Sequence, residues 1–151
     1  ETPSIGGDTA FSNQILAFNT LSEGLRSVLL NLKAEHTAAN LATQYRKDSE
    51  KAPNAVHPVI REHDETHEKA LFVCRAFTSR FQGWGVKESQ ALLSFLFEHS
   101  VRPEFQARHH WQNGDLVMWD NRSVLHFAVH DHSDDEPRRI HRLQVEGTVP
   151  A

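Results

Sequence analysis

The chain contains one cysteine, Cys74, so no disulfide can form within it, and a chain that does without disulfides reads as one of a reducing, cytoplasmic compartment. Its one methionine is Met118 rather than residue 1, and the opening run Glu1-Thr2-Pro3-Ser4-Ile5-Gly6-Gly7-Asp8 has neither basic nor hydrophobic signal character. That loop-like start leads us to expect that an N-terminal portion of the protein precedes these residues. No apolar run approaches the roughly 20 residues that a membrane-crossing helix needs, so no membrane partner is expected. The net charge of −4 and the lack of any dense lysine and arginine run argue against a nucleic-acid partner, because counterion release requires a basic face. There is no internal repeat and no low-complexity segment.

What is present is an ordinary globular balance, 38% hydrophobic and 24% charged over 151 residues, together with an unusual eleven histidines. The length suits a single domain over 1–151. Phe11, Ile15 and Phe18 have helical spacing and predict a helix ending near Leu21. Ser22 is a suitable cap for a second helix, with Leu25, Val28, Leu29 and Leu32 on one face, reaching about Lys33. The polar residues 35–54 read as a loop or lid. His57-Pro58-Val59-Ile60-Arg61 and Lys69-Ala70-Leu71-Phe72-Val73 are short β-type runs that predict a hairpin. After the break at Gly83-Trp84-Gly85, a helix is expected from Val86 to Ser100, stopped by Pro103. Strands are expected over 105–111, 115–119, 123–129 and 138–145, with a turn at Gln112-Asn113-Gly114. Short, regularly spaced strands with helices set earlier in the chain predict a mixed, mainly β fold of the jelly-roll type with flanking helices.

One stretch concentrates the chemistry. Trp119-Asp120-Asn121-Arg122 leads into a strand carrying His126, and Arg138-Arg139-Ile140-His141-Arg142 follows about a dozen residues later. A strand histidine followed by an arginine cluster can place a metal ligand and an anion clamp in one pocket. By itself His126 would read as a hydrogen-bonded core residue. On an extended strand Arg138, Ile140 and Arg142 share one face, and Arg139, His141 and Leu143 the other.

Gly6-Gly7-Asp8-Thr9, His57-Pro58-Val59, Ala70-Leu71-Phe72-Val73, Phe77-Thr78-Ser79-Arg80, Arg102-Pro103-Glu104-Phe105, Trp119-Asp120-Asn121-Arg122, His126-Phe127-Ala128 and Arg138 to Arg142 together resemble the taurine dioxygenase family of iron(II)- and 2-oxoglutarate-dependent oxygenases. They follow the family's order along nearly the whole chain. The resemblance implies a double-stranded β-helix, here a partial oxygenase domain without its first strands. It implies a facial triad of two histidines and one carboxylate on Fe(II), with His126 as the third ligand and the His-X-Asp or His-X-Glu pair before residue 1. It further implies that Thr9 touches 2-oxoglutarate and that Arg138 or Arg139 clamps its distal carboxylate, which a guanidinium fork matches bidentately. Strand alternation selects Arg138 with Arg142. A one-residue difference from relatives keeps Arg139 open.

Phe77 matches a pocket-lining position in relatives, and Arg142 could meet an anionic group of the primary substrate. The expected reaction is hydroxylation of a small, anionic organic molecule, such as a sulfonate or sulfate ester, using oxygen and releasing succinate from 2-oxoglutarate. A homo-oligomer is compatible with this reading. Competing readings are a non-catalytic jelly-roll module without an iron site and, more weakly, a zinc hydrolase using His130, His132 and His141. His132-Ser133-Asp134 and the cluster of His63, Asp64 and His67 lie in hydrophilic sequence and read as exposed loops. Trp111 and Trp119 read as core, and Asp120 and Asn121 as turn-fixing residues.

Overall fold

The computed structural model describes residues 1–39 and 53–150. In chain order the elements are β1 (Thr9–Asn13), α1 (Gln14–Asn19), α2 (Glu23–Leu29), β2 (Lys33–Thr37), β3 (Asn54–Pro58), β4 (Ile60–Glu62), β5 (Lys69–Leu71), β6 (Thr78–Phe81), α3 (Val86–Ser100), a 3-10 turn at Pro103–Phe105, β7 (Gln106–His109) and β8 (Val124–Ala128). The strands form three antiparallel groups, ordered β7-β1-β8, β3-β2-β6 and β4-β5. The described fold is thus mainly β with few helices.

The helix expected around Phe11, Ile15 and Phe18 begins later than its spacing suggests. Asn13 decides the boundary: its backbone is extended, and its Oδ1 accepts from the N–H groups of Ile15 and Leu16 at 2.9 and 3.0 Å. Phe11 therefore lies in β1, opposite His126 on one side and Ala107 on the other. Ser22 caps α2 as expected, its Oγ accepting from Leu25 N–H. That helix ends at Leu29 rather than near Lys33, because Lys33 is already paired with Pro58 across β2 and β3.

The polar segment read as a loop or lid over 35–54 needs a corresponding correction at both ends. Glu35, His36 and Thr37 belong to β2 and Asn54 to β3, while 40–52 fall outside the described residues. Backbone pairing has won there over a composition poor in large apolar groups. The predicted hairpin is present, with Ile60 opposite Leu71 and Arg61 opposite Ala70. The run 57–61 is shared between two sheets, since His57 pairs with Ala34 of β2.

α3 spans the residues that its apolar periodicity predicts, and the Glu88 carboxylate accepts from Gly85 N–H at its start at 2.7 Å. Arg102, preceding Pro103, is extended, as the residue before a proline prefers. The strands expected at 115–119 and 138–145 form no ladder among the described residues, and Leu116, Met118, Leu143 and Val145 are exposed. A strand is a pairing rather than a propensity, and no neighbour completes it here.

The core lies between α1, α3 and the β4-β5 and β2-β6 strands. It contains Phe18, Leu29, Val59, Leu71, Val73, Phe81, Leu93 and Leu96. Phe81 is fully buried, and its N–H donates to the Oγ of buried Ser89 at 3.1 Å, which ties β6 to the first turn of α3. His99 also serves the core: its Nε2–H donates to the Ala17 carbonyl at 2.8 Å, and its ring lies between Phe95 and Phe105.

Candidate active site

The loop before β1 turns through Gly6 and Gly7, both at positive φ. A Cβ on Gly6 would stand 2.6 Å from the Asp131 carbonyl oxygen, so only glycine lets the loop approach so closely. Gly7 N–H donates to Asp131 Oδ1 at 2.9 Å. Arg108 donates to both Asp8 and Asp131, and His110 Nδ1–H donates to Asp8 at 2.8 Å. β7, the loop and the segment after β8 are thereby joined around Asp8, whose role the sequence pattern alone does not signal.

Burial would raise the Asp8 pKa, but the hydrogen bonds and charges of His110 and Arg108 outweigh it and hold the carboxyl below its ordinary value. A depressed folded-state pKa contributes stability that is complete above the unfolded value of about 3.9 and is lost as pH falls through the folded one. The melting temperature is therefore expected to fall on acidification below about pH 4 more steeply in the wild type than in Asp8→Asn. Parallel melting curves for the two proteins would contradict this.

Thr9 is buried at the start of β1. Its Oγ1 accepts from Trp111 Nε1–H at 2.9 Å and from Arg138 Nη2–H at 3.2 Å. With two N–H donors on the oxygen, the hydroxyl proton remains available to an acceptor. Arg138 also donates from Nε to the Gly7 carbonyl at 2.6 Å. Arg139 points elsewhere: its side chain is 75% exposed and lies 3.6 Å from the Glu1 carboxylate. The structure thus brings Thr9 and Arg138 together and leaves Arg139 at the surface. Trp111, read from sequence as core, donates to Thr9 from two residues beyond the end of β7.

His126 stands on β8 directly opposite Phe11. Its ring centroid is 4.9 Å from Trp119 and 6.4 Å from Phe11, and Phe11 and Trp119 are 5.3 Å apart. Partial burial in this aromatic group, and then the positive charge of Arg142, lower the His126 pKa from its ordinary value. The imidazole is therefore neutral at physiological pH, the form in which histidine ligates a metal. Among the described residues no three His, Cys, Asp or Glu side chains are grouped to hold a metal ion. His126 fits one position of such a site, and the remaining ligands would have to come from elsewhere.

Phe77 and His126 line the same cavity of about 760 Å³, bounded also by Phe72, Cys74, Phe97 and Leu125. Burial raises the Cys74 thiol pKa, so this side chain is not an activated nucleophile. The other histidines form no group of three potential metal ligands among the described residues. His130 and His132 have ring centroids 6.4 Å apart, without a third metal-ligating partner among the described residues. His63, read from sequence as exposed, is buried and bonded through Nε2 to Asp120 at 3.1 Å. Asp120 fixes its turn by accepting from Arg122 N–H at 2.8 Å, and it also accepts from the Arg122 guanidinium, which holds the carboxyl far below the usual range.

A strand histidine opening onto a cavity, with a buried threonine and an arginine converging nearby, defines the class of 2-oxoglutarate-dependent oxygenases as the one to compare. The family model "Taurine catabolism dioxygenase TauD, TfdA family" matches residues 1–144, and the chain belongs to that family. It is 37% identical to the alpha-ketoglutarate-dependent dioxygenase cnsM of Penicillium expansum, over 98% of this chain and 44% of that protein. It is 41% identical to the alpha-ketoglutarate-dependent 2,4-dichlorophenoxyacetate dioxygenase of Burkholderia sp. (strain RASC), over 82% of this chain and 43% of the relative. Among solved structures, a taurine dioxygenase from Burkholderia xenovorans superposes with a TM-score of 0.75 at 35% identity, over 89% of this chain and 44% of that one. The chain thus spans less than half the length of these relatives. No helix among the described residues is long and apolar enough to cross a membrane.

Proposed function

We propose that the chain is the C-terminal part of a jelly-roll dioxygenase that hydroxylates a small organic anion while 2-oxoglutarate is decarboxylated to succinate. The observation that carries this reading is the convergence of Thr9 Oγ1 and Arg138 Nη2 at 3.2 Å, in a chain of this family whose neutral His126 opens onto a cavity. His126 would be one iron(II) ligand, with a His-X-Asp or His-X-Glu pair supplied by sequence outside these 151 residues. Bound iron(II) would supply the oxidation of an unactivated C–H bond by oxygen.

The chain's own residues then have separate tasks. The Arg138 guanidinium forms charge-assisted hydrogen bonds to the distal carboxylate of 2-oxoglutarate, and the Thr9 hydroxyl donates its free proton to the same carboxylate. Trp111 holds the threonine rotamer from the other side. Phe77 packs against the primary substrate, while Arg142 adds positive potential beside His126 that favours an anion. The aryloxyacetate and taurine named for the relatives above support an anionic substrate.

The 151-residue chain alone is expected to hold iron(II) weakly, because one imidazole and water exchange readily. The full-length protein is expected to release succinate from 2-oxoglutarate in an iron- and oxygen-dependent way. Tight, stoichiometric iron binding by the short chain would contradict the ligand assignment. No iron-dependent turnover by the full-length protein would leave a non-catalytic module as the reading.

A further inference from the structure

The turn before β1 carries the contact that aims Arg138. Gly7 N–H donates to Asp131 Oδ1 at 2.9 Å, and one residue on, the Asp8 carbonyl accepts from Val129 N–H at 2.9 Å. Between these two anchors the Gly7 carbonyl accepts from Arg138 Nε at 2.6 Å. A guanidinium is planar and rigid, so a bond at Nε fixes the plane of the whole group, and Nη2 then lies 3.2 Å from Thr9 Oγ1. Asp131 is itself braced: its other oxygen accepts from Arg108 Nη2, while Arg108 Nε donates to Asp8. The bond from Arg108, and then that from Gly7, hold the Asp131 carboxyl below its ordinary pKa, so it is charged at neutral pH.

Gly7 has a φ of +69° and no side chain to restrict it. Without the bond to Asp131 its backbone is free to turn, and the carbonyl that Arg138 grips turns with it. Ordering an arginine costs side-chain entropy, so a guanidinium already aimed binds a carboxylate more tightly than one that must be ordered by the ligand. We propose that Asp131 is a positioning residue of the 2-oxoglutarate clamp, acting on the Arg138 guanidinium through the Gly7 backbone. The proposal rests on the reading that Arg138 and Thr9 receive 2-oxoglutarate, and it deepens that reading. Charge alone predicts the opposite effect: Asp131 has the same sign as 2-oxoglutarate, so removing it would strengthen binding if direct electrostatics decided.

Titration of 2-oxoglutarate into the iron-loaded full-length protein without oxygen separates the two. Asp131→Ala is expected to weaken binding roughly 5- to 50-fold, despite the lost negative charge, and to leave the iron content as in the wild type. Asp131→Asn keeps an oxygen that accepts from Gly7 N–H, and its affinity is expected to stay within about threefold of the wild type. Placed in Arg138→Ala, the Asp131→Ala change is expected to cause no further loss, because its effect passes through the guanidinium. A general loosening of the fold would instead give losses that add.

Unchanged or tighter binding by Asp131→Ala would overturn the proposal, as would an equal loss with and without Arg138. If Asp131→Ala does not fold, hydrogen exchange at the Gly7 amide of the wild type decides. Protection before 2-oxoglutarate is added is expected, and an amide unprotected in its absence overturns the proposal. A wild type that binds no 2-oxoglutarate would refute the proposed function and the positioning role together, whereas equal binding by wild type and Asp131→Ala refutes the positioning role alone.

Discussion

In the full-length protein, His126→Ala is expected to abolish oxygen-dependent 2-oxoglutarate decarboxylation together with tight iron binding, whereas Arg138→Ala leaves the iron in place and weakens 2-oxoglutarate. The first change removes one of three ligands, and no other imidazole is grouped with His126 to replace it among the described residues. The second removes a charge-assisted contact and leaves its carboxylate unpaired, at a cost of about 2–4 kcal/mol, or roughly thirty- to a thousand-fold in affinity. Arg139→Ala should have little effect, because its side chain is 75% exposed beside Glu1. Titration of 2-oxoglutarate into the iron-loaded variants without oxygen measures each effect separately. A large loss in Arg139→Ala with none in Arg138→Ala would reverse the assignment.

Phe81→Ala is expected to destabilise the fold by about 3–5 kcal/mol, a large share of the roughly 5–15 kcal/mol that holds an ordinary domain folded. Phe81 is fully exchanged from water into the core, its ring is 5.1 Å from Trp84, and it lies on the strand whose backbone is bonded to Ser89 of α3. Truncation leaves a cavity where β6, α3 and β2 meet, and these elements are held too firmly to collapse into it. Chemical denaturation read by tryptophan fluorescence measures the loss. A change below about 1 kcal/mol would show that the site repacks around the smaller side chain.

Much of the local structure was legible because it is local. α3 is long, periodic and preceded by a glycine break, so its ends could be placed to the residue. The hairpin of β4 and β5 needed only two β-type runs and a polar turn. Errors fell where a distant partner decides. Phe11 has helical spacing with Ile15 but is claimed by His126 and Ala107 on either side of β1. Glu35 to Thr37 look like loop residues until Ala55 and Arg80 are placed beside them. His63 reads as solvated in a run of charges, and it is buried because Asp120, far away in sequence, offers it a hydrogen bond.

The site divides in the same way. The family resemblance, carried by the order of the motifs, singled out Thr9, His126 and an arginine between 138 and 142; taken alone, Thr9 reads as a turn residue and His126 as core. Strand alternation could separate Arg138 from Arg139 but could not say which face meets Thr9. Tertiary structure alone decided that Arg138 reaches Thr9, that Trp111 donates to it from just beyond β7, that Asp8 gathers Arg108 and His110 around the loop, and that Arg61 is buried facing an apolar cavity. The physical reason is that hydrogen bonds and burial act over a few ångströms of space, whatever the separation along the chain, and only the folded backbone brings residues 9, 111 and 138 within that range.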